Sequence, residues 1–385
     1  MKRKIFLILI VLILVCSFVF FRINNLSTVP TKKSSNKKED VSSKELFSKY
    51  YSKALDMVDK MSLEEKVGQL FLVRYDSSKV LDEVSNYYPG GYILFARDFQ
   101  NESKDSIKNK LSELQSVSKV PLILGVDEEG GTVVRVSKFK NFRNEAFLSP
   151  KEVFEQGGYQ LLETIEKEKS QLLLDLGLNL NLAPVADVST DSNDFIYKRS
   201  FGRDAVSTAD YISHMVKYAN SSNISSCLKH FPGYGNNKDT HTGVTIDERS
   251  YDTFLKSDFL PFESGIKEHV PVILVSHNIV LSMDPKYPAS LSSNVHKILR
   301  DDLKFSGIII TDDLDMGAIS EYVDNNQAAT LAINASNDMI ITSDFINMRN
   351  EVIESVNNGK ISLDKIDLAV KRIIAWKYAY GLIKN

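Results

Sequence analysis

Disulfides cannot hold this chain together. Its 385 residues include two cysteines, Cys16 in an apolar run and Cys227 in a β-branched one. They allow no framework, and each is expected to be a buried small side chain. Neither sign of charge dominates: 47 Lys and Arg stand against 50 Asp and Glu, a net charge of -3. A nucleic-acid partner is therefore not expected. The six histidines form neither H-E-x-x-H nor paired ligand spacing, so no metal is expected. No glycine-rich phosphate fingerprint follows the first apolar run, which argues against a doubly wound nucleotide-binding sheet and leaves no cofactor to expect. No internal repeat is visible, and nothing points to an obligate protein partner.

One long apolar run is present, at the N-terminus. Lys2, Arg3 and Lys4 precede an uncharged stretch from Ile5 to Phe21, closed by Arg22. Its length is near the lower limit for a membrane-spanning helix, roughly 17 residues. No small-x-small cleavage site follows it. Residues 1–22 are therefore expected to be an uncleaved anchor with its basic end cytoplasmic. A lipoprotein would use Cys16, but Val15 precedes it where a small residue is needed; a cleaved, secreted form is the other alternative. Residues 23–43 are polar and lysine-rich and read as a tether. The catalytic or binding domain is expected over 44–385, outside the cell.

From Lys44 onward, β-branched apolar runs recur at 68–73, 90–95, 120–127, 178–188, 225–231, 270–277, 307–313 and 337–342. Amphipathic, charge-rich stretches separate most of them. Near-continuous apolar strands alternating with helices are what a parallel sheet covered on its outer face requires. Eight such units predict an α/β fold of the (β/α)₈, TIM-like barrel type. Ser62 with Glu65 reads as a capping box ahead of the first strand, and Gly381 as the end of the last helix.

Barrels of this kind carry their active sites at the C-terminal ends of the strands. Asp127, Asp187, Lys229 with His230, His277, and Asp312 with Asp313 all end apolar runs, so ionisable groups are expected to collect at one mouth. From Lys229 the chain reads "KHFPGYGNNKDTH", with two histidines, two lysines and an aspartate among glycines. Such a segment is either a polar surface loop or a catalytic loop on a rigid scaffold.

Four blocks decide between these. "KHFPGYGNNKDTH", "GVDEEGGTVVR", "APVADV" with "RSFG", and "IIITDDLDMGAI" resemble the corresponding motifs of bacterial β-N-acetylglucosaminidases in glycoside hydrolase family 3, in the family's order. The resemblance implies a retaining, exo-acting enzyme on GlcNAc-containing oligosaccharides or muropeptides, with no metal. It places the nucleophile at Asp312 and the acid/base at His241, oriented by Asp239. It assigns substrate contacts to Asp127, Arg135, Arg199, Lys229 and His230. An imidazole with a pKa of about 6.5 suits donating and then accepting a proton near neutrality. Gly233, Gly235 and Gly243 are expected to let the loop open and close. Because side chains alternate along a strand, Asp312 and Asp313 are expected to face opposite ways, leaving Asp313 and Asp315 as supporting or surface carboxylates. Tyr234 departs from the family's frequent His, with altered loop packing or contacts beyond the sugar as the expected consequence, and Asn334 from its frequent Gly. A phosphorylase using the same site, or a non-catalytic muropeptide receptor, are the alternative functions.

Overall fold

The computed structural model describes residues 45–237, 243, 245–320, 322 and 327–384. The anchor and tether expected over 1–22 and 23–43, and Cys16, lie outside the described residues, as do Asp239 and His241. Among the described residues no helix is long and apolar enough to cross a membrane.

The strands are β1 (Phe71–Arg74), β2 (Gly91–Leu94), β3 (Ile123–Val126), β4 (Leu180–Asn181), β5 (Ser225–Phe231), β6 (Ile246–Asp247), β7 (Val272–Val275), β8 (Ile279–Val280), β9 (Ile308–Asp313) and β10 (Met339–Thr342). Eight of them close a barrel in the order β1-β10-β9-β7-β5-β4-β3-β2, and β6 pairs with β8 in a separate two-stranded sheet. Every ladder in the barrel is parallel. The fold is thus the expected (β/α)₈ barrel. Its strands are apolar on both faces because one faces the barrel interior and the other the surrounding helices; Ile123, Leu124, Ile273 and Ile309 are all buried.

Local signals set the element ends. Ser62 accepts the Glu65 N–H at 3.3 Å, and Glu65 accepts the Ser62 N–H at 3.0 Å, so the helix Leu63–Gln69 begins with the expected capping box. The last helix, Leu363–Ala379, ends just before Gly381, and the Leu382 N–H returns to the Lys377 carbonyl at 2.9 Å. Asn334 is accommodated by hydrogen bonds to the chain around it: its Nδ2 donates to the Lys360 carbonyl and its carbonyl accepts from Lys365.

That last helix reaches the N-terminal end of the barrel. Trp376 Nε1 donates to Ser225 Oγ at the start of β5, 2.9 Å away, and Lys377 Nζ donates to Gln69 Oε1 at 2.7 Å. Lys377 is fully buried against this neutral amide, and burial pushes its pKa down to about 7. Between pH 7 and the unfolded amine's 10.5, the unfolded chain holds a proton that the folded chain does not, so this group makes stability rise with pH. Lys377→Met removes that dependence but leaves Gln69 Oε1 unpaired. The expected result is stabilisation at pH 7 on the order of 1–3 kcal/mol, shrinking and then reversing towards pH 10. Thermal melts of both proteins across that range check it; a difference independent of pH would contradict it.

Candidate active site

A cavity of about 350 Å³ opens at the C-terminal mouth of the barrel. Asp127, Arg135, Arg199, Lys229, His230 and Asp312 all line it, so six of the eight site residues expected from sequence converge there. The other two, Asp239 and His241, fall in the undescribed part of the loop after β5.

Strand irregularities make this convergence possible. On β5, Leu228 pairs with Ile273 and Phe231 with Val275, so three steps on one strand match two on the other. Such a bulge suspends strict alternation, and both Lys229 and His230 turn into the cavity. The same happens on β9, where Ile310 pairs with Met339 and Asp313 with Ile341. Asp313 therefore lines the cavity beside Asp312, contrary to the expectation of opposite faces. It forms an ion pair with Arg74 at the end of β1. Burial pushes the Asp313 carboxyl up to about 6, and the Arg74 charge opposes that rise. Asp315 turns to the next strand end, accepting from the Ser343 hydroxyl at 2.6 Å and the Thr342 hydroxyl at 3.2 Å.

The floor is a charge network. Lys229 Nζ reaches Asp127 Oδ1 at 2.6 Å and Glu129 Oε1 at 2.7 Å. Arg199 grips Glu129 with two bonds, Nε at 3.0 Å and Nη2 at 2.7 Å. Burial pushes Glu129 up, but Arg199 and Lys229 outweigh it and hold the carboxyl well below the usual carboxylate range. Lys229 is pushed down by burial, yet Asp127 and Glu129 more than restore it, so the ammonium persists. Arg199 Nη2 lies 3.2 Å from His230 Nε2. A guanidinium can only donate, so that nitrogen accepts and His230 Nδ1–H donates to Asp187 Oδ2 at 2.8 Å. The run at 178–188 leaves the ladder after Asn181, but the Ala186 N–H donates to the Lys229 carbonyl at 2.7 Å and keeps Asp187 in place for this bond.

Arg135 is the least committed cation here. Its Nη2 lies 3.9 Å from Asp127 Oδ2, too far for a hydrogen bond, and its buried Nε has no hydrogen-bond partner. Glu128 fixes the loop that carries it, accepting the backbone N–H groups of Arg135 at 2.8 Å and Val136 at 2.7 Å. Glu128, Glu129 and Arg74 were not singled out from sequence. Arg74 was findable, since it ends the first strand as Asp127 follows the third.

The root of the loop after β5 is rigidly held. Arg249 bonds Asp258 at 2.9 Å, Asp247 at 2.7 Å and the Gly233 carbonyl at 3.0 Å. Gly233 and Gly235 have φ of 125° and 54°, and a Cβ would collide with the Asp258 carboxylate at the first and the Arg249 guanidinium at the second. These glycines thus serve close packing at the root. Tyr234 points inward, not towards solvent. It is fully buried, its N–H donates to Asp187 Oδ1 at 2.7 Å, and its ring meets His230 edge-on at 5.1 Å. His277 supports the site from behind: Nε2 donates to the Asp313 carbonyl at 2.9 Å and Nδ1 accepts from Ser290 at 2.7 Å. Cys227 is buried in β5, where burial pushes its thiol up.

The family described as the glycosyl hydrolase family 3 N-terminal domain matches residues 62–376. The chain belongs to glycoside hydrolase family 3. It is 28% identical over 322 residues to Beta-hexosaminidase A of Pseudoalteromonas piscicida, covering 76% of this chain and 54% of that protein. It is 26% identical over 329 residues to Beta-hexosaminidase LpqI of Mycobacterium tuberculosis, covering 82% and 83%. The solved structure of a family 3 β-N-acetylglucosaminidase from Paenibacillus sp. str. FPU-7 superposes with a TM-score of 0.79 at 26% identity, covering 84% of this chain and 63% of that one. The chain therefore spans about half the length of the first relative and under two thirds of the Paenibacillus chain. Family 3 membership gives the four sequence blocks one setting: "GVDEEGG" runs from the end of β3 into the loop beyond it, "RSFG" lies in the loop after β4, "KHFPGYG" runs out of the end of β5, and "TDDLDM" out of the end of β9.

Proposed function

We propose that this family 3 protein is an exo-acting, retaining β-N-acetylglucosaminidase that removes terminal GlcNAc from muropeptides or chitooligosaccharides. The observation that carries the reading is the charge balance of the cavity around Asp312. Arg74, Arg135, Arg199 and Lys229 face Asp127, Glu129, Asp312 and Asp313, four cations against four carboxylates. Such a lining suits a neutral ligand rich in hydroxyl groups, which needs fixed donors and acceptors and no net field. The 3.9 Å gap between Arg135 and Asp127 is a place for a hydroxyl to bridge.

In this reading Asp312 attacks the anomeric carbon, the bond to the leaving oxygen breaks, and that oxygen takes the proton of His241. His241 then removes a proton from water as its oxygen displaces Asp312, and β-GlcNAc is released. Asp239 orients the imidazole and stabilises its cation, as the carboxylate of a Ser-His-Asp triad does. Asp127, Arg135, Arg199, Lys229 and His230 hold the hydroxyls and the N-acetyl group. The test is incubation with an aryl β-GlcNAc glycoside, with and without phosphate. Free GlcNAc in both is expected; GlcNAc-1-phosphate appearing with phosphate would indicate a phosphorylase instead, and no product from folded protein would refute catalysis.

The apolar run at 5–21 supports a membrane-held enzyme with its barrel outside the cell. The native protein is expected to fractionate with membranes and keep Met1–Arg22; a mature N-terminus beyond the run would show a cleaved signal, and a lipid on Cys16 a lipoprotein.

A further inference from the structure

We propose that Arg74 is a positioning residue for the attack by Asp312: it draws in the Asp313 carboxylate and thereby fixes the backbone amide that holds one oxygen of Asp312. The inference rests on the glycosidase reading above. Arg74 ends β1 and Asp313 ends β9, and β10 lies between those strands in the barrel. Their ion pair therefore links two strand ends that no ladder connects. The guanidinium also lies over the Phe95 ring, 5.3 Å from its centroid, which favours a cation at that place.

Asp313 is tied at every polar group. Oδ2 accepts from Arg74 Nε, and Oδ1 from the Asp315 N–H at 3.0 Å. Its carbonyl accepts from His277 at 2.9 Å and from the Met316 N–H at 3.0 Å, and its own N–H is the one given to Asp312 Oδ1 at 2.8 Å. Among these ties Arg74 supplies the one opposite charge. Without it the Asp313 carboxylate is left buried with no counter-charge. Burial already pushes this carboxyl up to about 6 while Arg74 opposes the rise, so loss of Arg74 lets it take up a proton near neutrality. Its side chain is then no longer drawn towards β1, and the peptide between Asp312 and Asp313 can turn. An attacking carboxylate must meet the anomeric carbon along one line, so freedom at this peptide costs rate and not affinity.

The test is single turnover of nitrophenyl β-GlcNAc with enzyme in excess. This leaving group needs little protonation, so phenolate release reports the attack itself, as a first-order rate constant that does not depend on the fraction of a sample that is active. In Arg74→Met that constant is expected to fall about tenfold or more at saturating enzyme, with the apparent dissociation constant unchanged within about twofold. Arg74→Lys, which keeps a cation, should lie within about threefold of wild type. Asp313→Asn is expected to lose a factor similar to Arg74→Met, and combining the two should cost no more than about twofold beyond either, because both break one ion pair. Circular dichroism and melting temperature establish that the variants are folded, and Arg74→Gln serves if the methionine variant is not. A rate constant within about twofold of wild type in the uncharged variant, a loss that appears in affinity instead, or losses that multiply in the double variant would each overturn the positioning role while leaving the glycosidase reading intact. A wild type that releases no phenolate would overturn that reading and the positioning role with it.

Discussion

Asp312→Ala is expected to abolish turnover of every β-GlcNAc substrate, activated or not. In the proposed mechanism both chemical steps pass through this carboxylate, so no choice of leaving group compensates for its loss. The expected fall in kcat is on the order of 10⁴-fold or more, the scale on which removing a nucleophile acts. Asp313 makes the comparison informative, because the β9 bulge puts it in the same cavity. It is tied to Arg74, and its backbone N–H donates to Asp312 Oδ1 at 2.8 Å. Asp313 thus braces the strand end and the Asp312 carboxylate beside it. Asp313→Asn keeps the shape and that backbone bond while removing a charge, and it should retain measurable turnover. Steady-state rates of the two folded variants check the division; near-normal activity in Asp312→Ala would remove the assignment.

His241→Ala is expected to slow a poor leaving group far more than an activated one. A sugar alkoxide needs the proton, and its loss should cost on the order of 10² to 10⁴-fold, the usual contribution of general acid catalysis. A nitrophenolate needs little protonation, so the first step survives. Without a base to activate water the glycosyl-enzyme then accumulates, and a burst of phenolate should precede slow turnover. Asp239→Asn should share the pattern if, as proposed, Asp239 orients the imidazole and stabilises its cation. Equal losses on both leaving groups, with no burst, would mean that His241 shapes the loop without moving a proton.

The barrel was legible because its signal is repeated. Each of the eight apolar runs overlaps a barrel strand, and one weak strand could not mislead: 178–188 reads as a long strand, yet the continuous ladder covers only Leu180–Asn181, with an isolated bridge from Val185 to Lys229 beyond it. The polar residues ending those runs do gather at one mouth, since a closed parallel barrel brings every strand's C-terminal end to the same face. The bulges on β5 and β9 were not legible. They fall at Lys229–His230 and at Thr311–Asp312, where two polar residues at the end of an apolar run read equally well as the strand's exit into a loop. Glu128 and Glu129 were hidden for another reason. They are adjacent acids in a glycine-rich segment, which reads as a solvated turn until Lys229, Arg199 and the backbone of Arg135 and Val136 close around them. Tyr234 was noticed as a departure, but its inward position depends on Asp187 accepting its N–H, a contact 47 residues away in sequence.

The most direct test of the account is to trap the glycosyl-enzyme. A fluorinated GlcNAc donor with a good leaving group slows both steps by destabilising the oxocarbenium-like transition state, but the leaving group offsets this in the first step alone, so the covalent intermediate should persist. Peptide mass spectrometry of the digested protein is predicted to find the added sugar on Asp312 in the segment "IIITDDLDM", and none on Asp312→Ala. The sugar on another residue, or an enzyme that turns over the parent substrate yet yields the α-anomer first, would contradict a retaining mechanism through Asp312.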